Sequence, residues 1–302
     1  MMRIPVFALT VIAALVSPAG AQERRALGGV GVFTNDYLGD RKDRWRTAAL
    51  TRSEFRGTPW QGQIPEDGMI TEFRLRMEMI APTRIWTAPE PGERPFVGLI
   101  APGAFAHFRR GATEFRLGAE AVFIGPQTGI AGLLDSAHDT FGFKDPQALS
   151  AEIGDAILPT GIASVARPFT HGTALLRPFA RASLGAETTA TLGFDLILGA
   201  GGATSLFARD PVTGHLIAAA RATDAPGLTF SAGADLTAIF GSHLLPGGQG
   251  YETEPARLRL RAGLDADILG WDIFYGLTYL SREYSTQSEG QTVGSIAMFL
   301  RF

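Results

Sequence analysis

Apolar and polar residues alternate one for one along much of this chain. In 71–79, Phe73, Leu75, Met77 and Met79 take one side while Glu72, Arg74, Arg76 and Glu78 take the other. Phe115, Leu117, Ala119, Ala121 and Phe123 repeat the pattern over 114–123, and Ala190, Leu192, Phe194, Leu196 and Leu198 over 189–198. In 257–268, Leu258, Leu260, Ala262, Leu264, Ala266 and Ile268 oppose Arg257, Arg259, Arg261, Asp265 and Asp267. A period of two means strands with one apolar and one polar face. Soluble strands average about 5–6 residues, whereas strands that cross an outer membrane need about 9–11, and these segments reach that length. Polar faces carrying both signs of charge suit the lumen of a barrel; a secreted sandwich would show the same alternation with its charges in solvent.

About twelve such segments can be counted, an even number as bacterial barrels have. Five precede residue 126 (28–36, 44–55, 70–80, 96–108 and 113–125). Seven follow residue 158 (160–170, 174–184, 187–199, 228–241, 256–268, 271–284 and 290–302). The expected fold is all-β: a transmembrane antiparallel up-and-down β-barrel. Short turns such as Gly185-Ala186 and Leu269-Gly270 are expected at one end and longer loops at the other. Alternation stops at about 126–157, where Ile130, Leu133, Leu134 and Ala137 fall at the spacing of one helical face. A short helical insert after strand five is therefore expected, with His138 at the edge of its apolar stripe.

Composition narrows the class. Hydrophobic residues make up 45 % and charged residues 19 %, the latter below the usual ~25 % of soluble domains. With 37 glycines, a helix-rich fold is disfavoured. A net charge of −3 and the lack of a basic, aromatic-laced run exclude a nucleic-acid binder. The absence of cysteine excludes disulfides, thiol catalysis and zinc ribbons. At the start, Arg3, an apolar run from Pro5 to Val16 and then Ala19-Gly20-Ala21 read as a secretory signal cleaved before Gln22. The expected organisation is thus a signal peptide at 1–21 and one barrel domain at 22–302. The last strand ends in Phe302, as outer-membrane barrels do.

Three polar clusters carry candidate chemistry. Asn35 and Asp36 stand together near the first strand's end, where they form either a plain Asx turn or part of a site. Asp43-Arg44-Trp45-Arg46-Thr47 follows, and Glu93-Arg94-Pro95-Phe96 enters the fourth strand. His138 follows Gly125-Pro126 on the helical insert; taken alone it reads equally as a surface or capping residue.

In this order and spacing the clusters resemble the LpxR family, the lipid A 3′-O-deacylases of the bacterial outer membrane, which are twelve-stranded barrels. The resemblance spans 28–160; beyond it the chain matches in strand character only. It implies a monomeric outer-membrane ester hydrolase that acts on lipid A of lipopolysaccharide and removes the 3′-acyloxyacyl chain with calcium as cofactor. In that picture His138 is the general base, Asp36 a calcium ligand, and Asn35 and Thr47 position ester and water. Arg94 and Arg44 would grip the anionic headgroup. The chain departs from the family at Leu134, where Gln is usual, and at Leu149 and Glu152, where Trp and Gln are usual. Ala48-Ala49 likewise replaces a small residue followed by Gly. Asp135, one turn before His138, could orient the imidazole in place of a lost partner. The alternatives are a non-catalytic barrel, channel or structural, and a different outer-membrane lipid esterase using a serine, for which no Gly-x-Ser-x-Gly is present.

Overall fold

The computed structural model describes residues 25–142, 144–199, 202–222, 227–268 and 271–299. The signal segment and Phe302 lie outside them. Twelve staves close into one antiparallel barrel. In chain order they are β1 (Arg25–Asn35), β2 (Trp45–Gly57), β3 (Ile70–Ala81), β4 (Val97–Arg110) and β5 (Thr113–Ile124). Next come β6 (Ala156–Ala166) with its short continuation β7 (Phe169–His171), then β8 (Ala174–Leu184) and β9 (Glu187–Leu198). After an inserted hairpin follow β12 (Thr229–Ser242), β13 (Ala256–Ile268), β14 (Trp271–Leu280) and β15 (Gln291–Phe299). Closure is the pairing of β1 with β15, in which Val30 faces Phe299 and Asn35 faces Gly294. β6 and β7 are one stave interrupted at Pro168, which has no N–H for the ladder; both halves pair with β8. That stave starts at Ala156, earlier than the 160 expected.

The alternation sets which face meets lipid. Leu50, Phe73, Leu75, Leu192, Leu260 and Leu277 are exposed, while their strand neighbours Thr51, Glu72, Arg74, Thr191 and Arg261 are buried. A soluble sandwich would hide the leucines and expose the charges. Here the order is inverted, and inward charges neutralise one another across strands: Arg74 reaches Glu120 at 2.5 Å, and Arg261 reaches Asp235 and Asp195 at 2.5 and 2.6 Å.

Antiparallel order decides which connections share an end. The connections 36–44, 82–96, 125–155, 185–186, 243–255 and 281–290 lie at one rim, and both ends of the barrel sheet lie at the other. The turn at Gly185-Ala186 therefore shares its rim with the long connection 125–155, so short turns and long loops are not segregated by end as expected; Leu269-Gly270 lie outside the described residues.

The second departure is in the connection 199–228, which holds a hairpin of β10 (Ser205–Arg209) and β11 (Leu216–Arg221) inside the barrel. Its turn is tied by Asp210, whose carboxylate accepts from Thr213 N and Oγ1 at 2.8 and 2.6 Å. Leu206, Ala208, Ile217, Ala219 and Ala220 pack on Val30, Val32 and Phe55 of the wall. Contact is so close that a Cβ on Gly28 would stand 2.1 Å from the Ala219 carbonyl oxygen.

Candidate active site at the helix-bearing rim

Helix α1 (Ile130–Phe141) lies in the 125–155 connection, started by Gly129 and stopped by Gly142, both in the left-handed region. Ile130, Leu134 and His138 recur at i, i+4 and i+8 on its inner face, whereas Leu133 is 59 % exposed. The apolar stripe is thus turned from the expected one, which brings His138 from the edge onto the packed side. Ile130 and Leu134 join Ile85, Phe96, Ala148 and Leu149 in one apolar cluster under the helix. Leu134 and Leu149, two of the departures from the family pattern, therefore serve to seat it.

The imidazole of His138 is fixed on two sides. Its Nδ1 lies 3.0 Å from the carbonyl oxygen of Lys144, and its ring stacks on Trp86 with centroids 5.0 Å apart and planes 24° from parallel. A carbonyl can only accept, so the proton of the neutral ring sits on Nδ1 and the lone pair on Nε2. The orienting role expected of Asp135 is filled at Nδ1 by this backbone oxygen. Asp43 lies near enough to His138 to be drawn down by its charge, although burial raises the Asp43 carboxyl overall.

Asp43 belongs to the connection 36–44, which also carries Asp36. The Asn35 side chain shapes the entry to this connection: Oδ1 accepts from Tyr37 N at 2.8 Å and Nδ2 donates to the Thr47 carbonyl at 2.9 Å. This is the Asx turn, with both ends of the amide occupied by backbone. Asp36 is not solvated, however. It is 1 % exposed, and its Oδ2 accepts from Arg44 N at 2.7 Å. Burial, with Asp43 and Asp40 adding repulsion, pushes its carboxyl up to about 8 against the backbone donors of Arg44 and Tyr37. Across the mouth of the connection, Thr47 keeps a buried Oγ1 without a hydrogen-bond partner among the described residues.

The two arginines are placed differently from the headgroup contacts expected of them. Arg94 is fully buried and ion-paired with Glu283. Arg44 is 6 % exposed, lies 4.0 Å over the Trp45 ring, and pairs with Glu289 at 2.8 Å and Asp40 at 3.1 Å. Both guanidiniums tie rim loops together and neither faces outward. Glu283, which burial alone would raise, is held well below the ordinary carboxylate range by Arg46, Arg257 and Arg94. Trp86, Lys144 and Glu283 were not among the residues singled out from the sequence. Only Trp86 had a visible signal, a tryptophan in a polar connection beside a strand entrance.

As for a cation, no group of three His, Asp or Glu side chains able to hold a metal occurs among the described residues. The donor chemistry of the loop nonetheless fits a hard ion: one buried carboxylate crowded by two others, with an unpartnered hydroxyl opposite. Calcium takes 6–8 oxygens and accepts backbone carbonyls and water among them.

A closed barrel with leucines outward, charges inward and a histidine-bearing helix packed on one rim defines an outer-membrane β-barrel with a rim site. The chain belongs to the family described as Outer membrane protein LpxR, whose model matches residues 6–302. Among solved structures it is similar to LpxR from Salmonella typhimurium, at 15 % identity and a TM-score of 0.73 over 91 % of this chain and 100 % of that one. The β domain of the Bordetella autotransporter BrkA matches at 11 % identity and a TM-score of 0.39, over 91 % and 99 % of the two chains. No curated protein matches the sequence.

Proposed function

We infer that this chain is an outer-membrane lipid A 3′-O-deacylase, with His138 as its general base and its active site on the helix-bearing rim. The reading rests on membership of the LpxR family and on one observation above others: His138 is locked through Nδ1 and Trp86 so that Nε2 carries the lone pair. A base held in that tautomer can take a proton from water as the oxygen adds to the ester carbonyl carbon. The resulting imidazolium returns the proton to the departing sugar 3′ oxygen, which yields the free acid and the 3′ hydroxyl.

Asp36 and the Thr47 hydroxyl are the residues proposed to hold calcium, with backbone oxygens completing the shell. When bound, the ion supplies Lewis-acid stabilisation of the charge that develops on the ester oxygen. Asn35 acts by fixing the turn that presents Asp36. Arg44 and Arg94 act by holding the rim closed around the site. The β10–β11 hairpin fills part of the lumen, an arrangement that disfavours the open-channel alternative.

The test is expression in a host whose lipid A carries 3′-acyl chains, followed by mass spectrometry of the extracted lipid. The wild type should release the 3′ acyloxyacyl chain with calcium present, and His138→Ala should leave it in place. Intact lipid A with both proteins overturns the assignment.

A further inference from the structure

The lumen holds a second candidate site, remote from His138. Two cavities lie inside the barrel, of about 170 and 410 Å³. The smaller reaches toward the helix-bearing rim, where Glu283 and Leu244 line it. The larger reaches the opposite rim, where Trp60 and Pro168 line it. Arg116, Arg181 and Arg209 line both.

Register explains why one of these arginines stands apart. Arg177 on β8 faces Asp195 of β9 across the ladder, and Arg209 of the hairpin reaches the same Asp195 at 2.5 Å. Arg181, four residues further along β8, faces Thr191 on one flank and Ser164 of β6 on the other. Neither neighbour carries charge. Among the described residues no carboxylate lies within ion-pair distance of Arg181, and Asp235, which acts on it from further off, is held by Arg259 at 2.9 Å and Arg261 at 2.5 Å. Beside it, Arg116 Nη2 and Arg259 Nη2 are buried without hydrogen-bond partners, although each guanidinium pairs elsewhere through Nε. Buried donors are normally satisfied, so the spare Arg116 and Arg259 donors, on guanidiniums that line the smaller cavity together with Arg181, call for an acceptor. The larger cavity adds apolar wall: Leu175, Phe179, Phe207 and Leu216 line it beside the arginines. Its volume falls in the range of about 300–1,000 Å³ that small-molecule sites occupy.

We propose that the barrel interior is a binding site for a small organic anion, its carboxylate or phosphate head on Arg181 and its apolar body among the phenylalanines of the larger cavity. Entry is from the rim opposite α1, so the site is independent of the deacylase reading. Two sources of such a head, a short fatty acid and an alkyl phosphate, share this chemistry.

The experiment is equilibrium dialysis of labelled hexanoate and hexyl phosphate against the refolded full chain in nonionic detergent, with detergent alone as the partition control. Saturable one-to-one binding of either ligand supports the proposal, and the tighter of the two identifies the head. Arg181→Gln should weaken it by at least about tenfold, the loss expected for a charge-assisted contact. Ala166→Trp, at a buried position on the cavity wall, fills the cavity and leaves every charge in place, so it should abolish binding, and His138→Ala should leave it unchanged. Heat-modifiable gel mobility confirms that each variant is folded. No saturable binding to the wild type, equal affinity in folded Arg181→Gln, or binding of inorganic phosphate without either organic anion overturns the proposal.

Discussion

Arg261 in the lumen and His138 on the rim are both buried polar side chains, yet they are satisfied in opposite ways. Arg261 spends its donors on Asp235 of the adjacent strand and on Asp195 and the Phe194 carbonyl one strand further on. His138 is held by a backbone carbonyl six residues on and by a stacked indole from another loop. The lumen network uses opposite charges to cancel each other, and so keeps a charged interior compatible with a closed barrel. At this part of the rim, a backbone carbonyl and an indole do the orienting, while ion pairs such as Arg94 with Glu283 hold the loops around it. Asp36 follows the same pattern, being held by backbone N–H groups and crowded by like charges instead of facing an arginine. On the proposed reading, chemistry belongs to the rim, where a titratable group is oriented by backbone and ring contacts, and not to the lumen where charges pair.

The largest expected effect separates the two regions directly. His138→Ala should lower deacylation by about 10²–10⁴-fold, the usual contribution of general acid–base catalysis, with no change in heat-modifiable mobility. A variant that loses activity and barrel mobility together would break the contrast, since it would make His138 a structural residue. Next comes the boundary between the regions. Glu283→Gln leaves Arg94 fully buried without its counter-ion, and breaking a buried pair costs roughly 3–5 kcal/mol. A clear fall in the urea midpoint is expected. Because folding depresses the Glu283 carboxyl, its contribution is present above the unfolded value of 4.5 and is lost only as pH falls through the lower folded one. The wild-type advantage over Glu283→Gln should therefore persist at neutral pH and shrink in acid.

The wall was legible from the chain because lipid and lumen impose opposite polarities on alternate residues, as Leu258, Leu260 and Arg261 display. The helix was legible from its periodicity, and the family from four short motifs in order. Other features left no such trace. Leu216–Ala220 is buried on both faces, so the hairpin has no alternation, and only Asp210-Pro211 with Gly214 hints at its turn. The burial of Arg94 depends on Glu283, 189 positions away. The oxygen that orients His138 is a main-chain carbonyl, which any residue could provide. Motif order named the candidates, but which groups are neutralised is decided by pairing across the barrel.

A third effect concerns Asp36. Folding raises its carboxyl from 3.8 to about 8, so across that interval the native loop binds a proton that the unfolded chain has already lost. Stability without metal should fall as pH rises through this window. A cation must displace the same proton, so apparent calcium affinity should climb about tenfold per pH unit from pH 6 to about 8 and then level. Titration calorimetry at pH 6, 7, 8 and 9 measures this. A flat profile would mean that the metal binds elsewhere.

The smallest effect is the sharpest test of how the rim orients its base. Trp86 contributes a stacked face to His138 but no hydrogen bond to it, and aromatic pairs are worth about 0.5–1.5 kcal/mol beyond area burial. Trp86→Leu keeps apolar bulk against the Ile85 and Phe96 cluster and leaves the Lys144 carbonyl in place at Nδ1. The tautomer is then preserved while the ring gains freedom to tilt. Deacylation should fall by less than about tenfold, as a decrease in kcat with KM nearly unchanged, since the indole positions the base and does not hold the lipid. A rise in KM with kcat intact would show instead that Trp86 is part of the acyl-chain surface.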